Sequence, residues 1–349
     1  YANVSGFLNA SKAEFSEETI QQSKDTIEKV GEEGMVLVKN DGLLPLSSDV
    51  TNLNVFGWDS TCPIYGGTGS AGSHSDGNVS ILQSLQDAGY KTNETLSNMY
   101  TEYCAERPTI SMSAQDWSLP EPNMKHYTDD IMNEAKDFSD TAVVVIGRPG
   151  GEGADLPTNM SAVINGTYNQ GLATSNAPAN WRYMNASYTN NGDYDDFEEG
   201  ESYLELSVTE EQLVDKVCSE FDNVIVVINA NNTMELGWVD NYEQIKSVIL
   251  APGAGETGFT ALGEILNGTV NPSGKTADTY VKNLLSTHYI NNIGNFPYTN
   301  VDDLKAQALA ADSSYKGNVS FVNYVEGIYV GYKFYETAAE EGLIDYESS

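Results

Sequence analysis

Basic residues are scarce in this chain. Only 17 of its 349 residues are Lys or Arg, against 51 Asp and Glu, a formal net charge of −34 at pH 7. Polyanions are held by neutralising phosphates with Lys and Arg, so this balance excludes nucleic acid as a partner. It disfavours contact with an anionic membrane surface for the same reason. Long hydrophobic runs are also lacking. The most apolar stretches, Val143 to Ile146 and Val224 to Ile228, fall far short of the roughly 20 residues that cross a bilayer, and read as buried strands. Cysteine is rarer still. Cys62, Cys104 and Cys218 are far apart and odd in number, which predicts neither a disulfide framework nor a zinc site. With three histidines, a Cys–His nucleophile would have to be assembled from scattered residues. There is no initiating methionine and no basic-then-apolar leader, so the expectation is that any targeting segment has been removed or lies outside this sequence.

What the chain does have is apolar material. Hydrophobic residues make up 40% and aromatics 10%, enough for a sizeable core, so the acidity reads as solvated surface and not as disorder. The length allows one large or two average domains. From Ser16 onward, Ile20, Ile27, Val30, Gly34 and Leu37 have helical spacing, with Glu17 and Glu18 favouring a helix start; Asn40-Asp41-Gly42 predicts its end. A strand is predicted at Leu53 to Phe56. Ile81, Leu82, Leu85 and Ala88 share one helical face, closed by Gly89. Further strands are predicted at Ala142 to Ile146, Val224 to Ile228 and Ser247 to Ala251. Between them, Thr209 with Gln212 predicts a capping box ahead of Leu213, Val217 and Phe221. Phe259, Leu262 and Leu266, closed by Gly268, predict another helix. Strand and helix alternating in this way predict an α/β fold, a mostly parallel sheet sandwiched between helical layers. Residues 155 to 205 and 291 to 318 show little apolar periodicity and read as long irregular stretches.

In open α/β sheets ligands bind beyond the carboxyl ends of the strands, so the loops after each strand carry the functional reading. After the strand at Leu53 to Phe56 comes Tyr65-Gly66-Gly67-Thr68-Gly69-Ser70-Ala71-Gly72, which contains G-x-G-x-x-G. A dinucleotide fingerprint needs its glycines to join strand directly to helix. Here a gap of about ten residues argues against it, leaving a surface turn or a backbone wall for a sugar. After the strand ending at Ile146 comes Gly147-Arg148-Pro149-Gly150-Gly151-Glu152-Gly153-Ala154-Asp155. A carboxyl flanked by glycines can approach a ligand closely, and Glu serves as a general acid when poor solvation or like charge keeps it protonated.

A set of motifs gives these loops a context. Glu33-Gly34-Met35-Val36-Leu37-Val38-Lys39-Asn40-Asp41-Gly42-Leu43-Leu44-Pro45-Leu46 resembles the opening signature of the second domain of family 3 glycoside hydrolases, the β-glucosidase family. The glycine loop Gly66 to Ser70 and the loop Gly147 to Asp155 resemble two more of its motifs. Asn271-Pro272-Ser273-Gly274-Lys275 and Tyr324 to Tyr332 resemble two others, in the family's order. The resemblance implies a three-layer α/β/α sandwich around a sheet of about six strands, occupying residues 30 to 349, with residues 1 to 29 as an N-terminal extension and the start of the first helix. It also implies a partner (β/α)₈ barrel, absent from this chain, with the active site in the cleft between them. The barrel would carry a nucleophilic Asp. Glu152 then matches the acid/base position, Arg148 and Asp155 match positions that support it, and Gly67 and Thr68 match the glycine loop that borders substrate. No metal and no cofactor are implied.

Departures from the family pattern are few but specific. Leu156 stands where relatives often carry Arg. Ser113 to Trp117 and Lys125-His126 echo barrel motifs without their surroundings and read as chance. The implied substrate is a β-linked oligosaccharide or glycoside. A different reading, a non-catalytic sugar-binding module, would use Trp58, Tyr65 and Trp181 as stacking platforms. For Tyr329, Tyr332 and Tyr335, packing in the core or against the barrel is expected. Ten N-x-[ST] sequons, Asn78, Asn93 and Asn318 among them, mark a polar surface; the resemblance to acidic, Lys-poor glycosidases that act on external glycans implies secretion or surface display, with a cytoplasmic location as the alternative.

Overall fold

Ser16 caps the first helix through its hydroxyl, which accepts from Thr19 N–H, and the chain then builds a sheet of six strands. The structure is a computed structural model that describes residues 15–73, 77–104, 110, 115–152, 156–168, 186–189, 196–290, 296–315, 320–321 and 324–345. The strands are β1 (Val36–Asn40), β2 (Asn52–Phe56), β3 (Lys91–Thr92), β4 (Thr141–Arg148), β5 (Asn223–Ala230) and β6 (Ile245–Leu250). They lie in the order β1-β6-β5-β4-β2-β3. Every neighbouring pair is parallel except β1 with β6. The helices used below are α1 (Glu17–Gly34), α2 (Ile81–Asp87), α3 (Glu94–Cys104), α4 (Asp129–Phe138), α5 (Val208–Glu220), α6 (Thr260–Asn267), α7 (Val301–Ala311) and α8 (Tyr332–Glu340).

Side-chain alternation along the central strands makes the layers. Val143 and Val145 of β4, with Ile225 and Val227 of β5, pack with Ile81 and Leu85 of α2 and Leu262 and Leu266 of α6. Their neighbours Val144, Ile146, Val224, Val226 and Ile228 face the other way, onto Leu96 and Tyr100 of α3, Met132 of α4 and Leu213 of α5. All eight residues of β4 are buried, as parallel strands covered on both faces require. Each such Val or Ile contributes about 1.5–3 kcal/mol by leaving water. The predicted α/β class, with a six-stranded, mostly parallel sheet between helices, is therefore the fold.

Three local expectations need correction. The first helix stops at Gly34, not at Asn40, because Val36 to Asn40 find backbone partners along β6, with Leu37 opposite Ile249. Sheet pairing there outweighs the weak helical propensity of a Val-rich segment. The capping box is Ser207 with Glu210, two residues earlier than predicted. The stretch 291 to 318 is not wholly irregular, since it holds α7. Of the three tyrosines expected in the core or against a barrel, Tyr335 is buried in this chain, and Tyr329 and Tyr332 are 47% and 61% exposed, which leaves the barrel alternative open for them.

The cysteine expectation also fails in part. Cys62 and Cys104, 42 residues apart in sequence, form a disulfide, because α3 packs beside the chain leaving β2 and brings its last residue to the loop. Cys218 is free and buried. Replacing both bridged cysteines by Ser is expected to cost about 2–4 kcal/mol. The check is a denaturant midpoint with and without the pair, alongside a thiol titration that finds one free cysteine in the unfolded, unreduced chain. Not every sequon lies on the surface. Asn93 is buried and its side chain caps α3 by accepting from Thr95 and Leu96 N–H while donating to Asn54, which removes it as a glycan site in the folded state. Asn318 lies outside the described residues.

Candidate active site

The chain leaves β2 for β3 on one side and later returns to β4 on the other, so the strand order reverses between β2 and β4. Loops beyond the carboxyl ends of such a pair diverge and leave a crevice. Here the crevice is walled by glycine. The buried Asn229, near the end of β5, fastens the floor: its Oδ1 accepts from Ile64 N–H at 2.7 Å and its amide donates to Ala251 O at 2.7 Å. Gly255 N–H donates to Tyr65 O at 2.8 Å, and Gly253 N–H to Asn231 Oδ1 at 2.7 Å. Loops from four parallel strands thus meet at one end of the sheet. Asn229 escaped sequence reading, although an amide ending an apolar strand was the available signal.

Glu152 sits in this assembly, exposed, in the loop that follows β4. Its Oε2 accepts from Ser70 N–H at 3.1 Å and from Ser70 Oγ at 2.8 Å. The same glycine turn holds the loop's backbone, where Thr68 Oγ1 donates to Glu152 O at 2.7 Å. Two positive-φ glycines make the approach possible. Gly69 has φ +65° and a Cβ there would overlap Glu152 Oε2; Gly151 has φ +151° and a Cβ would overlap Thr68 N. The Ser70 backbone N–H, and then its hydroxyl, hold the Glu152 carboxyl below the usual glutamate range, because both stabilise the anion. Glu152 is thus an ionised carboxylate in this conformation.

The other expected site residues divide. Gly67 closes the turn through N–H to Ala71 O at 3.0 Å and lies against Gly150 and Gly151, and Thr68 is occupied with the Glu152 loop. Asp155 lies outside the described residues. Arg148 does not face the crevice at all, which corrects the sequence expectation. It is 0% exposed, and its five N–H groups donate to Tyr203 O, Gly147 O, Glu205 O and both carboxylate oxygens of Glu210. Its plane also lies over the Tyr203 ring at 5.5 Å. A guanidinium with every donor committed has none left for a sugar.

The stacking-platform reading loses its first member, since Trp58 is 0% exposed. Tyr65 is partly buried, edge-on to Phe259, and Trp181 lies outside the described residues. The dinucleotide reading fares no better: the glycine turn passes into a short 3₁₀ turn, Gly69–Ala71, and α2 begins only at Ile81. The N–H of Ser70, which a phosphate would need, is given to Glu152. Asp116 is structural, accepting from Ser118 N–H and from Thr189 N–H across a small strand pair.

One buried group beneath the site was missed altogether. Glu121 is 0% exposed and accepts from Trp58 N–H at 3.0 Å and from Tyr127 OH at 2.9 Å, which in turn lies 2.5 Å from Tyr100 OH. Burial pushes its carboxyl up to about 8. Nothing in Leu119-Pro120-Glu121-Pro122 signals a buried acid. Among the described residues, the one His/Cys/Asp/Glu cluster tight enough for a cation is Glu28, Glu32 and Glu264, between α1 and α6 and not at Glu152.

Comparisons with known proteins give these loops their setting. Residues 35–332 match the Glycosyl hydrolase family 3 C-terminal domain. The chain is 28% identical over 320 residues to β-glucosidase A of Butyrivibrio fibrisolvens, a match covering 87% of this chain and 31% of that protein. To a β-glucosidase of Ruminococcus albus it is 26% identical over 317 residues, covering 90% of this chain and 26% of that one. The chain therefore spans about a third or less of these curated relatives. Among solved structures, β-glucosidase 3B of Thermotoga neapolitana in complex with α-D-glucose superposes with TM-score 0.66 at 23% identity, covering 97% of this chain and 38% of that one. A β-glucosidase from Paenibacillus barengoltzii gives 0.62 at 25%, covering 90% and 28%. With a match over most of its length, this chain belongs to glycosyl hydrolase family 3, in which it is the C-terminal α/β domain.

Proposed function

We propose that residues 30–349 act as the sandwich half of a retaining β-glycosidase, presenting Glu152 as general acid/base to a cleft shared with a separate (β/α)₈ barrel that carries the nucleophile. The observation that carries this reading is the meeting of the glycine turn and the Glu152 loop where the strand order reverses. The β-glucosidase relatives support a β-linked glycoside as substrate. In the first step the barrel carboxylate bonds to the anomeric carbon while protonated Glu152 delivers its proton to the departing oxygen. In the second, ionised Glu152 takes a proton from the water that displaces the nucleophile. Closure of the barrel removes water and brings a second carboxylate within roughly 5–5.5 Å, and both effects raise the Glu152 pKa for the first step. Secretion or cell-surface display fits the Cys62–Cys104 disulfide, since such bonds persist in oxidising surroundings.

Two measurements test the reading. The 349-residue chain alone should not turn over an aryl β-glucoside. In a protein that joins it to a family 3 barrel, Glu152→Gln should slow hydrolysis of a substrate with a poor leaving group about 10²–10⁴-fold, and azide should restore rate with an activated leaving group. An unchanged rate on the poor leaving group would remove Glu152 from the chemistry.

A further inference from the structure

We propose that Ser70 is a positioning residue for Glu152, gripping its ionised carboxylate through backbone N–H and hydroxyl, so that this carboxyl rests as a base and becomes an acid only when lifted off the glycine turn. This rests on the acid/base reading of Glu152 and adds a control that it does not contain. The glycine turn is thereby reinterpreted. Its strained-looking conformation wraps an anion of the same chain, with Gly69 and Gly151 bare because the Glu152 carboxylate and the Thr68 amide occupy the space of their side chains. Convergent N–H and O–H donors of this kind form an anion cradle.

The two halves of a retaining cycle respond in opposite directions. When Glu152 protonates the leaving oxygen, its O–H bond breaks and the glycosidic C–O electrons stay with the departing group. Ser70 cannot donate to an oxygen that carries that proton with the same strength, so the grip opposes this step. When Glu152 removes a proton from water, the water oxygen bonds to the anomeric carbon and the nucleophile leaves with its electron pair. Here the carboxylate must stand ready, and the grip favours it. Among the described residues, the titratable groups on the adjoining segments are Tyr65, which opens the turn, and Asp59, which lies against Gly147; His74, Asp76 and Asp155 lie outside the described residues. Among the described residues, the two Ser70 donors are the causes that lower the carboxyl, opposed by slight desolvation.

The experiment is a ¹³C NMR titration of the Glu152 carboxyl in the 349-residue chain, its resonance identified by its loss in Glu152→Gln. The wild-type midpoint should lie below the ordinary glutamate value. Ser70→Ala should move it upward, and Ser70→Thr, which keeps a hydroxyl, should return it toward wild type. Equal midpoints in wild type and Ser70→Ala, or a shift that Thr does not reverse, would overturn the proposal. The same variants in the barrel-bearing protein separate this from the functional reading. A Ser70-dependent midpoint with a silent Glu152→Gln leaves the grip standing and the acid/base role refuted; a disabling Glu152→Gln with an unmoved midpoint does the reverse.

Discussion

Replacing Arg148 by Met is expected to destabilise the chain by about 3–5 kcal/mol, because it leaves Glu210 buried without its counter-ion. Both side chains are fully buried, and the pair is bidentate. The loss extends beyond one ion pair. Arg148 also holds the carbonyls of Tyr203 and Glu205, which lead into α5, while Glu210 Oε2 accepts from Ser207 N–H at 2.9 Å to complete the helix cap. Against a typical total of 5–15 kcal/mol, such a loss moves the urea midpoint far down or unfolds the chain outright. Substituting both partners with apolar residues should recover part of the loss, since a buried pair replaced together leaves no orphan charge. A single Arg148→Met within 1 kcal/mol of wild type would show that the pair is not structural.

The second large effect is a pH dependence. Glu121 titrates at about 8 in the folded state, above its ordinary value near 4.3 in an unfolded chain. The folded state therefore holds a proton that the unfolded state has released. Stability from this group is fully present below the unfolded value and falls as pH rises through the window up to about 8, by roughly 1.4 kcal/mol per unit and about 5 kcal/mol across it. Glu121→Gln should flatten that slope, making the variant the more stable form at pH 8 to 9. Denaturant midpoints of the two proteins from pH 5 to 9 decide it. Parallel curves would mean that the burial of Glu121 is relieved in solution.

The strands that can be read from residues alone are those with both faces buried. The apolar runs in β4 and β5 tolerate no other placement, and the helices ending at Gly89 and Gly268 carry their stop signal at a residue with positive φ. β1 was hidden because Val30, Gly34 and Leu37 also satisfy a helical period, and only the presence of β6 decides between them. Glu152 was singled out because its loop follows a strand in an α/β sheet and matches a family motif, and the structure brings that loop against the glycine turn. Arg148 was misjudged from the same motif, since its true partner, Glu210, lies 62 residues further on and no local pattern links them. The disulfide, Asn229 and Glu121 share that cause: each is defined by a contact between distant segments. Ser70 stood in the glycine motif, but nothing local said that its donors face a carboxylate of the same protein.

The order of the strands has a further consequence, for the behaviour of crowded protein. A strand such as β4, eight residues with no exposed side chain, would recruit further chains if it lay at an open edge. It lies between β5 and β2, and the edges fall to weaker templates. β3 has only two residues, and β1 carries Lys39 together with an irregular register between Leu37 and Lys39. Short length, charge and bulges are the features that stop a sheet from growing into a cross-β stack. An eight-residue run that would template further growth is thereby sealed in the middle of its own sheet.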